Sequence, residues 1–272
     1  MADLTAHRRL LIFGGSFDPP HRAHVHLPEQ VRQAIDADVV VYLPAGRAPH
    51  KLDKVQTDPA HRLAMLRLAL ADAVAAGTAV VLDDEIRRVA ADGRPSYTVD
   101  TLEALKQRIA PGAEMRLLIG TDQVNIFETW KDWQRILQLA EPVVMVRPPE
   151  TVDDVPEAWR PRVVEVPAMD VSSTEVRRRV AAGQTLGDMV VADVANYIGT
   201  HGLYRPDETS DRPTSFGQAW FRFTHGGAEP TAADRAALVN GRKVLLGLGI
   251  LVGVPVFLCL SLVFWVLVAW CF

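Results

Sequence analysis

Cysteine is nearly missing from this sequence: 272 residues hold only 2, Cys259 and Cys271, both close to the C-terminal end. Disulfides and thiolate metal sites are therefore excluded from everything before Val244. An excess of either charge is lacking as well. With 29 Lys and Arg against 33 Asp and Glu, the net charge of −4 provides no general pull on nucleic acid or on an acidic membrane surface. No nucleic-acid partner is expected. Several signatures are absent too. The first strand-to-helix junction carries neither the Gly-Lys-Ser/Thr of a P-loop nor the Gly-x-Gly-x-x-Gly of a dinucleotide fold. No Ser–His–Asp or Cys–His set stands out, and there is no internal repeat. The opening stretch MADLTAHRRLLIFGG has neither the long apolar run nor the small-residue cleavage site of a signal peptide, so none is expected.

Charge is missing altogether from Val244 to Phe272. As a helix at about 1.5 Å per residue this run would reach roughly 43 Å, more than the roughly 30 Å of a bilayer core. A buried core helix of that length without a polar face would be unusual. Arg242 and Lys243 precede the run and nothing follows it. The positive-inside tendency then places the N-terminal bulk in the cytoplasm. The expectation is a tail-anchored, single-pass protein on the cytoplasmic face of the inner membrane. Three parts follow: a head over residues 1–205, a turn-rich linker with a possible short helix over 206–243, and an anchor over 244–272.

Within the head, short apolar runs alternate with helical patterns. Strands are predicted at Leu10–Phe13, Val39–Leu43, Ala79–Leu82, Arg116–Ile119, Val143–Val146 and Val163–Val166. Helices are predicted at Ala23–Ile35, Pro59–Ala76, Thr98–Ala110, Ile126–Leu139, Thr174–Ala182 and Gly187–Ile198. Such alternation implies an α/β fold, a doubly wound, Rossmann-like parallel sheet with crossover helices on both faces.

The stretch GGSFDPPHRAHVHL, residues 14–27, lies where the first strand gives way to a helix. It has three readings. A metal site would use His21 and His24, three apart on one helical face, but no glutamate sits between histidines four apart and no carboxylate cluster follows. A phosphate site would use glycines for close backbone approach, the N–H groups of a helix start, and histidines as extra donors. A plain turn would need none of these. Position favours the phosphate reading, because open α/β sheets bind ligands at the carboxyl ends of their strands.

A second cluster decides between them. VSSTEVRRRV, residues 171–180, has three hydroxyls in a row before a helix bearing arginines. Ser172 or Ser173 is placed to cap that helix. With Arg177 one turn further in, hydroxyls, N–H groups and a guanidinium converge on one polyphosphate. Arg178 and Arg179 point elsewhere.

Together these stretches resemble the nucleotidyltransferase superfamily whose motifs read His-x-Gly-His and Ser-Ser-Thr-x-x-Arg. Within it, the chain is similar to the bacterial nicotinate-nucleotide adenylyltransferases. The likeness runs from about Arg8 to Arg205 through GGSFDPPHRAH, LPAGRAPHK, RPSYTVDTL, GTDQVNIFETWKDW and VSSTEVR, in that order. One departure is Ala23 in place of the first motif's glycine, which implies slightly tighter packing at the helix start.

The resemblance implies transfer of the adenylyl group of ATP to nicotinate mononucleotide, giving nicotinate adenine dinucleotide and pyrophosphate in NAD biosynthesis. It assigns His21, His24 and Arg177 to catalysis. Gly14, Gly15, Ser16, Phe17, Lys51, Gly120, Asp122, Ser172, Ser173 and Thr174 would bind ATP, and Tyr97, Thr98 and Trp130 the nicotinate nucleotide. Asp122 is read either as a nucleotide contact or as a helix cap, Trp130 as a stacking ring or a core aromatic, and Lys51 as a phosphate contact or a solvated side chain. Mg²⁺ is expected to be bridged by phosphate oxygens rather than held in a protein cage. The alternatives are a nicotinamide-mononucleotide or phosphopantetheine adenylyltransferase, or a non-catalytic, membrane-linked nucleotide sensor.

Overall fold

The computed structural model describes residues 3–47, 56–93 and 95–205, within a compact unit that runs from Met1 to Arg205. Its strands are β1 (Arg9–Gly15), β2 (Val39–Pro44), β3 (Ala79–Val81), β4 (Glu114–Gly120), β5 (Glu141–Val146) and β6 (Val163–Glu165). The helices are α1 (Arg22–Ala34), α2 (Pro59–Ala69), α3 (Ala71–Ala75), α4 (Asp84–Asp92), α5 (Thr98–Lys106), α6 (Thr121–Val124), α7 (Trp133–Leu139), α8 (Ser173–Ala181) and α9 (Ala192–Thr200).

All strand pairs are parallel, in the order β3-β2-β1-β4-β5-β6. The chain winds outward from β1 in one direction, then returns to β4 and winds outward in the other. Adjacent connections leave β1 and β4 in opposite directions, so a crevice opens between their carboxyl ends. The strands are apolar without interruption because both faces of the sheet are covered. All six residues of β2 are buried. Alternate side chains then sort into two cores. Leu10, Ile12, Val39 and Val41 pack with Val99, Leu102 and Leu105 of α5, while Leu11, Val40 and Tyr42 pack with Leu27 and Val31 of α1. A third cluster joins Met65 of α2 to Val176 of α8 and Val194 and Ile198 of α9. It brings the C-terminal part of the unit against the helix after β2.

The expected helix Pro59–Ala76 is split at Leu70, which leaves helical geometry at φ −109° and ψ 9° while its side chain stays 1% exposed. The expected helix Ile126–Leu139 is replaced by a 3₁₀ turn, Phe127–Thr129, and by α7, which starts only at Trp133. Trp130 is extended at ψ 145° and Asp132 sits in the left-handed region at φ 48°, a conformation short polar side chains tolerate. The last helix begins at Ala192 rather than at Gly187, which has φ 52°. Among the described residues no helix is long and apolar enough to cross a membrane. The linker 206–243 and the anchor 244–272 lie outside them.

Candidate active site

Residues 14–21 lead from β1 into α1 across the mouth of the crevice. Gly15 admits no side chain, since a Cβ would come within 2.9 Å of the Phe17 ring. That ring folds back into the core, 2% exposed, and meets Phe13 and His24 edge-on with centroids 5.5 and 5.1 Å away. To do so Phe17 adopts φ 48°, a costly conformation for a bulky residue. His21 ends the loop in an extended conformation as the residue before α1. Ala23, where the related motif has glycine, is 4% exposed, and its methyl packs in the core beside Leu27.

The two histidines face each other. Their rings stack with centroids 3.7 Å apart and planes inclined by 23°. The His21 backbone N–H donates to His24 Nδ1 at 3.2 Å, so a neutral His24 imidazole carries its proton on Nε2. His21 is 6% exposed, and its Nδ1 is buried without a hydrogen-bond partner. Burial, reinforced by the positive charge of Arg147, pushes its pKa down to about 4. At pH 7 it is a neutral imidazole in a site waiting for charge.

The unfolded chain therefore takes up a proton near pH 6.5 that the folded chain refuses until about pH 4. Stability contributed by neutral His21 is complete above about pH 6.5 and is lost progressively as pH falls toward 4, in total about 3 kcal/mol. Urea titrations at a series of pH values should show this loss in the native chain and a flatter profile in His21→Gln. Equal slopes in the two proteins would contradict the assignment.

The hydroxyl cluster braces this loop from behind. Ser172 caps α8, its Oγ accepting from the Glu175 N–H at 3.1 Å. Ser173 Oγ donates to the carbonyl of Pro19 at 2.8 Å. Arg177 Nη1 donates to the carbonyl of Asp18 at 2.6 Å, while its Nη2 reaches Thr174 Oγ1 at 3.3 Å. The two motifs thus meet through the backbone of the first. Arg178 and Arg179 turn to Glu175, at 2.7 and 2.9 Å, and take no part.

A cleft of about 480 Å³ runs from this loop along the carboxyl ends of β1 and β4. Gly14, Gly15, Ser16, His24, Gly120, Asp122, Tyr97, Thr98 and Trp130 all line it, with His24 against Phe17 of the α1-side core and Tyr97 and Trp130 against the α5-side core at the other end. Phe17, His21, Ser172, Ser173, Thr174 and Arg177 are not in its lining. Lys51 lies outside the described residues. Asp122 does not cap α6, because Gly120 occupies the cap position; its carboxylate accepts from Gln123 Nε2 at 2.8 Å. Trp130 is partly buried against Phe127, with centroids 5.3 Å apart, and its Nε1 is buried without a partner. It therefore belongs both to the core and to the cleft. Tyr97 precedes α5 without capping it, and Lys131 lies 4.9 Å above the Tyr97 ring.

Four residues that sequence reasoning did not single out shape the site. Arg62 is fully buried beneath the loop, Asp18 and Tyr204 clasp it, and Glu85 lines the cleft with its carboxyl accepting from Thr101 Oγ1 at 2.9 Å. Burial raises the Glu85 pKa. A signal for Arg62 was available: it falls three and four residues before Met65 and Leu66, on the apolar stripe of α2, where a charge is out of place.

A parallel sheet with a histidine pair and a glycine loop at its switch point defines a class, the cytidylyltransferase-like proteins, whose family model matches residues 12–179. Two relatives narrow it. A protein of Albidiferax ferrireducens is 40% identical over 205 residues, covering 73% of this chain and 98% of its own. One of Thermomicrobium roseum is 40% identical over 208 residues, covering 74% and 93%. Both bear the description "Probable nicotinate-nucleotide adenylyltransferase". The fold is shared with a solved nicotinic acid mononucleotide adenylyltransferase of Plasmodium falciparum in complex with NaAD, at a TM-score of 0.56 and 16% identity, over 73% of this chain and 98% of that one. This chain belongs to the nicotinate-nucleotide adenylyltransferase family of cytidylyltransferase-like enzymes.

Proposed function

We propose that the chain transfers the adenylyl group of ATP to nicotinate mononucleotide, forming nicotinate adenine dinucleotide and releasing pyrophosphate. The observation that carries this reading is the single cleft joining the β1 loop and His24 to Tyr97, Thr98 and Trp130.

A phosphate-monoester oxygen of the mononucleotide attacks the α-phosphorus of ATP, and the bond from that phosphorus to the oxygen bridging toward the β-phosphorus breaks. With a second pKa near 6, such a monoester is already ionised at pH 7. No general base is needed. The chain's work is alignment and neutralisation of charge on the leaving pyrophosphate. His24 Nε2–H donates to the phosphate oxygens. His21, kept neutral in the free chain by burial and by Arg147, stacks on His24 and holds its ring in place. Arg177 adds a fixed positive charge next to the loop, and Thr174 and Ser172 frame the α8 N-terminus. At the far end Trp130 stacks on the pyridine ring, and the uncapped first turn of α5 faces its carboxylate.

A divalent ion fits this arrangement only as part of the nucleotide. The one carboxylate in the loop, Asp18, is turned away to Tyr204 and Thr57, and among the described residues no group of three or more His, Cys, Asp or Glu could hold a metal. Mg²⁺ arriving with the nucleotide would supply neutralisation of charge on the leaving group.

The test is pyrophosphate release by the full-length chain in detergent with ATP, Mg²⁺ and either nicotinate or nicotinamide mononucleotide. The reading expects faster turnover with nicotinate, and Trp130→Ala should raise the mononucleotide KM with little change in that for ATP. Binding of ATP without turnover would indicate a sensor instead.

We further propose that residues 244–272 anchor this enzyme to the inner membrane with its head in the cytoplasm, on the strength of their uncharged length. Deleting them should move the protein from the membrane fraction to the soluble fraction with kcat unchanged. A deletion variant that remains with membranes would overturn the anchor.

A further inference from the structure

An anion site built from backbone needs N–H groups facing forward and carbonyl dipoles turned back. Carbonyls along the β1–α1 loop are held from behind. Gly15 O accepts from the Ala45 N–H at 2.9 Å, Ser16 O from Arg62 Nη1 at 2.7 Å, Asp18 O from Arg177 at 2.6 Å and Pro19 O from Ser173 at 2.8 Å. In a trans peptide the C=O and N–H point opposite ways, so capture of Ser16 O by Arg62 turns the Phe17 N–H to the other side.

Arg62 does more than this. It is 0% exposed, and its guanidinium reaches three stretches of chain: Ser16 O, Ala45 O at 2.7 Å with Gly46 O at 3.2 Å, and Thr57 O at 3.0 Å. Burying a guanidinium costs far more than burying a leucine, and here its partners are neutral carbonyls. What it provides is position, since a planar fork fixes several acceptors at once. Thr57 is gripped at both ends, its carbonyl by Arg62 and its N–H by Asp18 Oδ2 at 3.2 Å. The other Asp18 oxygen accepts from Tyr204 OH at 2.7 Å. Between these holds sits Phe17 at φ 48°, a strained conformation that persists only where its surroundings over-determine it.

We propose that Arg62 is a positioning residue for adenylyl transfer, holding the Ser16–Asp18 segment in the conformation that directs the Phe17 N–H and the histidine pair at the triphosphate. The proposal rests on the transferase reading above and deepens it. Arg62 touches neither substrate; it acts through the loop, by its hold on Ser16 O.

The test uses the full-length chain and its Arg62→Ala and Arg62→Lys variants. Calorimetry with an ATP analogue carrying a methylene between the α- and β-phosphorus is run beside steady-state turnover. Arg62→Ala should lose about 100-fold in kcat, the scale set by misplacing reacting groups by about 1 Å. It should also bind the analogue more weakly, keep the mononucleotide KM, and regain part of its kcat in millimolar guanidinium. Arg62→Lys should fall between, having a point charge in place of the fork. If the alanine variant does not fold, the lysine variant decides by the same split. Wild-type kcat in either variant, or a mononucleotide KM that worsens in step with kcat, would overturn the proposal. A native chain that binds the analogue without turnover removes the transferase reading, and analogue affinity alone then decides whether Arg62 positions the loop.

Discussion

Replacing His24 with alanine should lower kcat by about 10²–10³-fold while leaving the mononucleotide KM close to that of the native chain. The size follows from losing one preorganised donor aimed where charge develops. The selectivity follows from geometry. His24 lines the loop end of the cleft, and its Nδ1 accepts from the His21 N–H, which makes Nε2 the donor of the neutral ring. An interaction made chiefly in the transition state lowers kcat and kcat/KM together. His24→Gln, which sets an amide N–H at a similar reach, should recover part of the loss. Retention of kcat within about threefold in His24→Ala, well short of the usual cost of such a donor, would remove this residue from the mechanism.

The second large effect is one of packing. Phe127 is 0% exposed and carries two indoles, Trp130 at 5.3 Å and Trp159 at 5.0 Å between centroids, and its carbonyl accepts from the Trp130 N–H at 3.0 Å. Phe127→Ala removes the platform beneath both and should cost about 3–5 kcal/mol of stability. That is a large part of the roughly 5–15 kcal/mol that holds a typical domain together. Urea unfolding should show a much lower midpoint, and the folded fraction should bind the mononucleotide more weakly because Trp130 is no longer held. A loss under about 1 kcal/mol would mean that the ring is not the core residue its burial indicates.

Much of this was legible in the sequence, and the reasons differ by element. The strands were plain because a parallel sheet covered on both faces demands unbroken apolar runs, as in Val39–Leu43. The helix α4 was missed because DDEIRRVAAD has only two large apolar residues, Ile86 and Val89, and buries only Glu85; their spacing, the acidic first turn and Gly93 at φ 70° were the available cues. The break before α7 was hidden for another reason. Local propensity favours one helix through Trp130, but the cleft needs that ring outside it. Within the site, the histidine pair and the cap at Ser172 follow from local spacing. The roles of Ser173 and Arg177 as braces on the first motif do not, since each depends on a loop more than 150 residues away in the chain. Arg62 showed only as a charge on the apolar stripe of α2, with nothing to name the distant carbonyls it holds, and Tyr204 was silent because its partner is a distant aspartate.

The central claim is that the ionised phosphate of nicotinate mononucleotide strikes the α-phosphorus of ATP in the cleft between β1 and β4. Turnover with mononucleotide labelled by ¹⁸O at its phosphate, followed by mass spectrometry of both products, tests it most directly. All of the label should remain in the dinucleotide, one atom as the new bridge, with unlabelled pyrophosphate. Label in the pyrophosphate, or ADP among the products, would contradict the account.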